Sequence, residues 1–314
     1  MKKALLLLNM GGPNNIDEVE VFLRNMFADK RILGIPFKSI QDWVANYIIT
    51  DRLSEAQNNY RALGGKSPLV DHTIALVNKL QKRVPDLNID FGMRYTPPFC
   101  HDILKRYQEQ GVTDLYLLPL YAQYSTTTTE SSFDDIKEIC QKLDYAPIIH
   151  DSDSFYQNPN YISLIINSIK EKCHDIDTQE YDLVFSAHGL PKRTIKKGDP
   201  YVQQIERNVT LAKRLLAKEN MYFNQIMLAY QSKVGPLQWT EPYLDQLIHK
   251  SKNRKMIIYP LSFTLDNSET DFELDIEYRE IAQELNYEDY RVCRVFNDSD
   301  EFVELLKTIY EEMI

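Results

Sequence analysis

Short apolar runs alternate with helix-length amphipathic stretches along almost all of this 314-residue chain, and that rhythm leaves few folds open. Candidate strands fall at 4–8, 89–94, 115–119, 147–150, 183–187, 225–230, 255–259 and 291–295. Between them, 71–84 carries Ile74, Val77 and Leu80 at helical spacing, and 202–216 carries Ile205, Val209, Leu211 and Leu215. Apolar strands joined by such helices predict an α/β fold of parallel sheets covered by helices on both faces. A short internal repeat accompanies the rhythm. Leu8-Asn9-Met10-Gly11-Gly12-Pro13 parallels Phe185-Ser186-Ala187-His188-Gly189-Leu190-Pro191, and Leu117-Leu118-Pro119-Leu120 parallels Ile258-Tyr259-Pro260-Leu261. Two similar halves facing one another would line a cleft with strand ends, where open α/β sheets bind ligands.

Composition excludes several partners. A net charge of -10 argues against nucleic acid and anionic lipid and suits a cationic substrate. The four cysteines are scattered with no C-x-x-C pair, so neither a disulfide framework nor a thiolate metal site is expected, and a reducing cytoplasm is the expected location. The basic start Lys2-Lys3 precedes an apolar run of five residues, shorter than the roughly 7–15 of a secretory signal. No stretch approaches the roughly 18 apolar residues of a membrane span. No strongly apolar exposed stripe is evident, so monomer and homodimer both remain open.

The segment Val184-Phe185-Ser186-Ala187-His188-Gly189-Leu190-Pro191 delivers an imidazole to the C-terminal end of a buried strand. A lone histidine is often a hydrogen-bonded core residue. Its place on a Gly/Pro turn at a strand end favours chemistry, because imidazole can take a proton or bind a metal near neutral pH. Farther on, six carboxylates occupy the twelve positions from Asp266 to Glu277 with no base among them. Glu269, Glu273 and Glu277 at i, i+4, i+8 share one face of an expected α-helix, with Phe272 and Ile276 as its inward stripe. Solvated surface charge is the usual meaning of such a run. Like charges four apart repel, however, and only the first turn gains from the helix dipole, so an oxygen-ligand row for a divalent cation fits better.

The hydroxyl run Tyr124-Ser125-Thr126-Thr127-Thr128-Thr129 can cap the helix that follows, and it exceeds what one cap needs; facing a helix N-terminus, it can also hold an anionic group. Trp239 is a core filler or a stacking wall for a flat ligand. Neither G-x-G-x-x-G nor G-x-x-x-x-G-K-[ST] occurs, which disfavours a nucleotide enzyme.

In this order, Leu8 through Pro13, Leu63-Gly64-Gly65-Lys66-Ser67-Pro68-Leu69, Gly92-Met93-Arg94-Tyr95, Gln123-Tyr124-Ser125, Ser186-Ala187-His188, Gly198-Asp199-Pro200-Tyr201, Gln231-Ser232-Lys233-Val234-Gly235-Pro236 and Glu269 through Tyr278 resemble the ferrochelatases, from Leu5 almost to the C-terminus. The resemblance implies two Rossmann-like domains with the active-site cleft between them. The first would comprise 1–122 plus a C-terminal helix at 299–314, and the second 123–298. It implies insertion of Fe2+ into protoporphyrin IX to form protohaem, the terminal step of haem synthesis, with Zn2+ or Co2+ as possible surrogate metals. His188 matches the family's active-site histidine and Glu269 its partner glutamate, both catalytic and metal-binding. Glu273 and Glu277 match the acidic row that passes metal inward. Met10, Arg52, Arg94, Tyr124, Ser125 and Trp239 fall at porphyrin-contacting positions.

The chain departs from the pattern at Asn267, Gly189, Thr96-Pro97 and Glu130, which replace a histidine, a serine, a residue-His pair and a glycine. It ends at Ile314 without the cysteine-bearing extension of animal members, so no iron–sulfur cluster is expected. Loose membrane contact is compatible with poorly soluble substrates. Competing readings are a chelatase for coproporphyrin with iron or a corrin precursor with cobalt, and a non-catalytic porphyrin or haem carrier. A carrier has no need of an acidic helix opposite a histidine.

Overall fold

In the computed structural model, which describes residues 2–233, 235 and 237–314, all eight candidate strands form, in two four-stranded parallel sheets. Val234 and Pro236 of the glutamine-serine motif lie outside the described residues. The chain separates into two units: residues to Tyr121 with Ser125–Asp153 and Asn297–Ile314, and Ala122–Tyr124 with Ser154–Phe296.

In the first unit β1 (Lys3–Asn9) lies between β2 (Asn88–Met93) and β3 (Asp114–Pro119), and β4 (Ile148–Asp151) pairs with β3. Leu5, Leu6, Leu7 and Leu8 are each at most 1% exposed, as befits a central strand covered on both faces. Burial of each contributes about 1.5–3 kcal/mol, an upper figure because unfolded chains already shelter some apolar surface. One face packs against Ile103, Leu104, Tyr107, Phe133 and Ile136 from the helices Cys100–Gln110 and Thr129–Lys142.

The glycines that follow β1 are a packing joint. Gly11 has φ +91°, and a Cβ there would collide with the Thr96 hydroxyl, which donates to Gly12 O at 3.2 Å. A Cβ on Gly12 would strike Ser67, whose amide donates to Pro13 O at 2.8 Å. Two of the motifs that carried the family resemblance are therefore neighbours holding one another, and Thr96 has a structural task of its own.

The expected domain boundary after residue 122 is displaced. Parallel pairing of β3 with β4, from Asp114↔Ile148 to Leu117↔Asp151, ties 125–153 to the first unit rather than the second. The terminal helix Asp300–Glu312 clusters with the first unit, where Lys79 bridges Asp298 at 3.1 Å and Asp300 at 3.3 Å. A second correction concerns surface apolarity. Phe37, Ile40, Trp43 and Tyr47 are all at least half exposed at the start of the helix Lys38–Ala62, and Trp43 stacks on Tyr47 with centroids 6.4 Å apart. The polar residues interleaved with this strip obscured it in the sequence. No described helix is long and apolar enough to cross a membrane.

The second unit repeats the plan. β5 (Asp182–His188) lies between β6 (Gln225–Gln231) and β7 (Lys255–Pro260), with β8 (Asp289–Val292) outside β7. In each unit the first strand is flanked by the second on one side and the third on the other. Chain direction across the sheet thus reverses between β5 and β7, a topological switch point of the kind at which open α/β sheets bind ligands, at the strands' C-terminal ends. His188 is the last residue of β5.

If the buried leucines of β1 carry the first unit, Leu6→Ala should cost about 3 kcal/mol. In urea unfolding followed by circular dichroism, the midpoint should fall with little change in slope. A loss below about 1 kcal/mol would contradict that placement.

Candidate active site

β5 pairs with β6 through His188↔Gln231 but with β7 only as far as Ser186↔Pro260. Its last residues are therefore supported on one side by a strand and on the other by side chains. Ser186 Oγ donates to Gln231 Oε1 at 2.5 Å, and Gly189 N donates to Gln231 O at 2.9 Å. A Cβ on Gly189 would sit 2.9 Å from that carbonyl and 3.4 Å from Trp239 Cε3, so the glycine fits where the wider family has a serine.

The acidic segment is not the expected α-helix. Glu269–Glu277 winds as a π-helix, and Tyr278 N reaches back five residues to Glu273 O. Such widened turns recur at functional sites. The buried side is Thr270, Leu274 and Tyr278, while Phe272 and Ile276 are only half-buried, so the inward stripe differs from the one inferred from α-helical spacing. Tyr290 OH anchors the widened turn by donating to Leu274 O at 3.0 Å. Asn267, the departure from the family's histidine, starts the segment: its Oδ1 accepts Glu269 N at 2.7 Å, and its own N–H donates to Thr270 Oγ1 at 2.9 Å. Its observed contacts are those of a cap.

His188 Nδ1 meets Glu269 Oε2 at 2.8 Å, with the two side chains 34% and 23% exposed, partly sheltered yet reachable. Ser232, held at φ +62° just past β6, joins this pair to the next acid. Its hydroxyl donates to Glu273 Oε2 and lies 3.2 Å from Glu269 Oε2, while its N–H donates to Glu273 Oε1 at 2.8 Å. Gln231 Nε2 adds a bond to Glu273 Oε2 at 3.2 Å. His188, Glu269 and Glu273 thus form one hydrogen-bonded group. Glu277 is exposed. Among the described residues no three His, Cys, Asp or Glu side chains stand as a ready-made metal cage. The donors, imidazole nitrogen and carboxylate and hydroxyl oxygen, nevertheless suit Fe2+ and Zn2+.

Burial draws the His188 imidazole toward its neutral form, but the Glu269 carboxylate, through charge and hydrogen bond, and then Glu273 outweigh it, and its pKa is raised. Burial, reinforced by the Glu269 charge, pushes Glu273 up to about 7 against the Ser232 hydrogen bonds. Near neutral pH the group therefore holds exchangeable protons beside a strand-end crevice, the setting expected of proton-transfer chemistry.

A family model for ferrochelatase matches residues 2–314. The chain belongs to the ferrochelatase family. The ferrochelatase of Sulfurimonas denitrificans is 48% identical over 313 residues, covering 99% of each chain. That of Nitratiruptor sp. is 48% identical over 311 residues, covering 99% of this chain and 100% of the other. Among solved structures, SirB from Bacillus subtilis with Fe3+ superposes with a TM-score of 0.58 over 100% of this chain and 96% of its own, at 11% identity, a likeness of fold. As a ferrochelatase the chain is a metal chelatase that inserts iron into porphyrin for haem synthesis.

The ferrochelatase positions expected to touch porphyrin are placed unevenly. Arg94 is committed within the first unit: Nε donates to Ser131 Oγ at 3.1 Å, and the guanidinium pairs with Asp29 at 3.4 Å and Asp135 at 3.3 Å. Tyr95 OH also donates to Asp29, at 2.9 Å. Arg94 thus braces a largely buried network in the first unit. Arg52, half-buried on the helix Lys38–Ala62, has no ion pair among the described residues. Met10 is half-buried, and Tyr95 N donates to its carbonyl at 2.9 Å. Ser125 is buried with its hydroxyl 2.9 Å from Thr127 Oγ1, and Thr128, at the cap position, makes no side-chain cap bond. The hydroxyl run therefore turns partly inward. Tyr124 N donates to Gln204 Oε1 at 2.7 Å, and Trp239 is half-buried beside Gly189. Glu130, in place of the family's glycine, pairs with Arg31 at 3.5 Å.

Ser232 and Gln231 were visible only as part of a motif. The signal that could have singled them out is their place at the C-terminal end of a strand next to the one that carries His188.

Because Glu273 has a higher pKa folded than its ordinary 4.5, it favours the fold fully below that value, and the contribution is lost as pH rises through about 7. Glu273→Gln removes the penalty, worth about 3 kcal/mol at pH 8. Melting temperatures at pH 5 and pH 8 should show the variant gaining on the parent at the higher pH; equal differences at both would refute the shift.

Proposed function

We propose that this ferrochelatase inserts Fe2+ into protoporphyrin IX to give protohaem, and that Zn2+ and Co2+ can replace iron. The observation that carries the reading is the 2.8 Å contact between His188 Nδ1 and Glu269 Oε2 at the end of β5. Metal insertion must remove two pyrrole protons and let a divalent ion exchange water for four ring nitrogens. His188 takes up a pyrrole proton, and the Glu269 carboxylate stabilises the imidazolium formed. Glu273 is the acceptor or relay for the second proton, through Ser232. The opposite order, in which His188 first ligates the incoming metal and Glu269 takes the proton, uses the same atoms.

Glu269 and Glu273 also neutralise the approaching cation and replace part of its water shell, and Glu277, exposed farther along the same helix, is the entry point of that acidic row. Met10 and Trp239 supply apolar contact to the macrocycle. Arg52, Tyr124 and Ser125 are the remaining candidates for ring or propionate contact, and Arg94 supports the porphyrin indirectly through its Asp29–Asp135 network. No resident cofactor is required by this chemistry.

The test is anaerobic incubation with protoporphyrin IX or coproporphyrin and Fe2+ or Zn2+, watching the visible spectrum. Conversion of protoporphyrin IX supports the reading, conversion of coproporphyrin alone replaces its substrate, and binding without conversion favours a carrier. His188→Ala should lower turnover by about 100-fold or more while porphyrin still binds; near-normal turnover removes His188 from the mechanism. Glu273→Gln with Glu277→Gln should raise KM for metal while leaving KM for porphyrin within about twofold, a selectivity that an unused acidic surface would not produce.

A further inference from the structure

The way the end of β5 is held matters to catalysis if His188 acts as the functional reading has it. In a regular parallel ladder the N–H of His188 would continue to the backbone beyond β7, as Leu261 N does in the other direction by donating to Ser186 O at 2.7 Å. That continuation is lost. Leu261 O is taken by Gln123 Nε2 at 3.3 Å and Tyr161 OH at 3.4 Å. The Ser262 hydroxyl supplies the missing acceptor, 2.9 Å from His188 N. It is held in turn by Tyr201 OH at 2.6 Å.

Tyr201 is 6% exposed and begins the helix Tyr201–Lys218 immediately after Gly198-Asp199-Pro200. The local sequence fixes where that helix starts. Gly198 adopts φ +98°, and Asp199 Oδ1 accepts Tyr201 N at 3.0 Å. A motif that seemed remote from the chemistry thereby delivers a phenol to the strand end that bears the imidazole.

We propose that Ser262 and Tyr201 are positioning residues for His188. The Ser262 hydroxyl stands in for a missing ladder bond and, steadied by the Tyr201 phenol, fixes the backbone from which the imidazole projects toward Glu269. Neither side chain hydrogen-bonds the His188 ring or the Glu269 carboxylate among the described residues, so their hold on His188 passes through its main chain. Two anchors then converge on one residue: the main-chain bond to Ser262 from the β7 side and the ring bond to Glu269 from the π-helix.

The test compares Ser262→Ala, Tyr201→Phe, the double variant and Ser262→Thr with the parent. Tyr201→Phe keeps the buried ring and Ser262→Thr keeps the hydroxyl, so folding is safeguarded in at least one lossy and one conservative variant. Ser262→Ala should lower kcat for metalloporphyrin formation about tenfold with KM for porphyrin within about twofold, Tyr201→Phe should fall between it and the parent, and Ser262→Thr should restore most of the rate. The double variant should be no worse than Ser262→Ala, because the phenol acts through the hydroxyl. Independently of turnover, the low-field proton resonance of the His188–Glu269 hydrogen bond should shift or broaden in Ser262→Ala and return in Ser262→Thr. Folded Ser262→Ala and Tyr201→Phe proteins with parental kcat and an unmoved resonance would overturn the proposal. A parent protein that metallates no porphyrin would overturn the functional reading alone, and the His188 resonance would still decide the positioning claim.

Discussion

One contact between a strand end and a helix organises the second unit: the imidazole of His188 against the carboxylate of Glu269, 81 residues farther along the chain. Each partner is partly withdrawn from water, where a charge is costly unless answered by another. The pair therefore makes demands on its surroundings. Gln231 holds the turn after His188 through Gly189, Asn267 caps the segment bearing Glu269, and the π-helix turns Glu269 and Glu273 toward Ser232 while Leu274 and Tyr278 enter the core. The sheet, the widened helix and the serine past β6 are all conditions for two side chains to meet at hydrogen-bond distance.

That arrangement suits proton transfer. A histidine whose basicity is raised by neighbouring acids is a better proton acceptor than a free imidazole, and a glutamate pushed to about 7 can hand a proton on near neutrality. Ser232 connects the two acids, and a hydroxyl can accept as it donates. Chemistry that discharges two protons as a doubly charged ion arrives needs groups of this kind, and it needs no thiolate. All four cysteines are buried and free.

The fold was legible because its signal is carried by long apolar runs. Eight strands were located within a few residues, since a parallel strand buried on both faces has little alternative, and His188 was recognisable from a turn at a strand end. Less local features were hidden. The placement of β4 depends on pairing with β3, a tertiary choice that moved the domain boundary. The π-helix was not visible because its carboxylates satisfy α-helical spacing equally well. Arg94 illustrates the hardest case. The resemblance placed it at a porphyrin contact, and its pairing with Asp29 and Asp135, 65 residues before it and 41 after it, was not legible in the sequence. A cation's destination is decided by whichever anions the fold brings nearest, and those are set by long-range packing.

The two sheets share strand order, and the loop after the first strand of each has met a different fate. The end of β5 carries an imidazole against a carboxylate, and the turn after β1 is packed by Thr96 and Ser67 against two glycines. A loop spent on steric closure tolerates almost no added volume but is indifferent to charge, whereas its counterpart is governed by proton affinity. The repeated architecture thus divides its labour, with one turn ruled by mechanical fit and the other by acid–base balance.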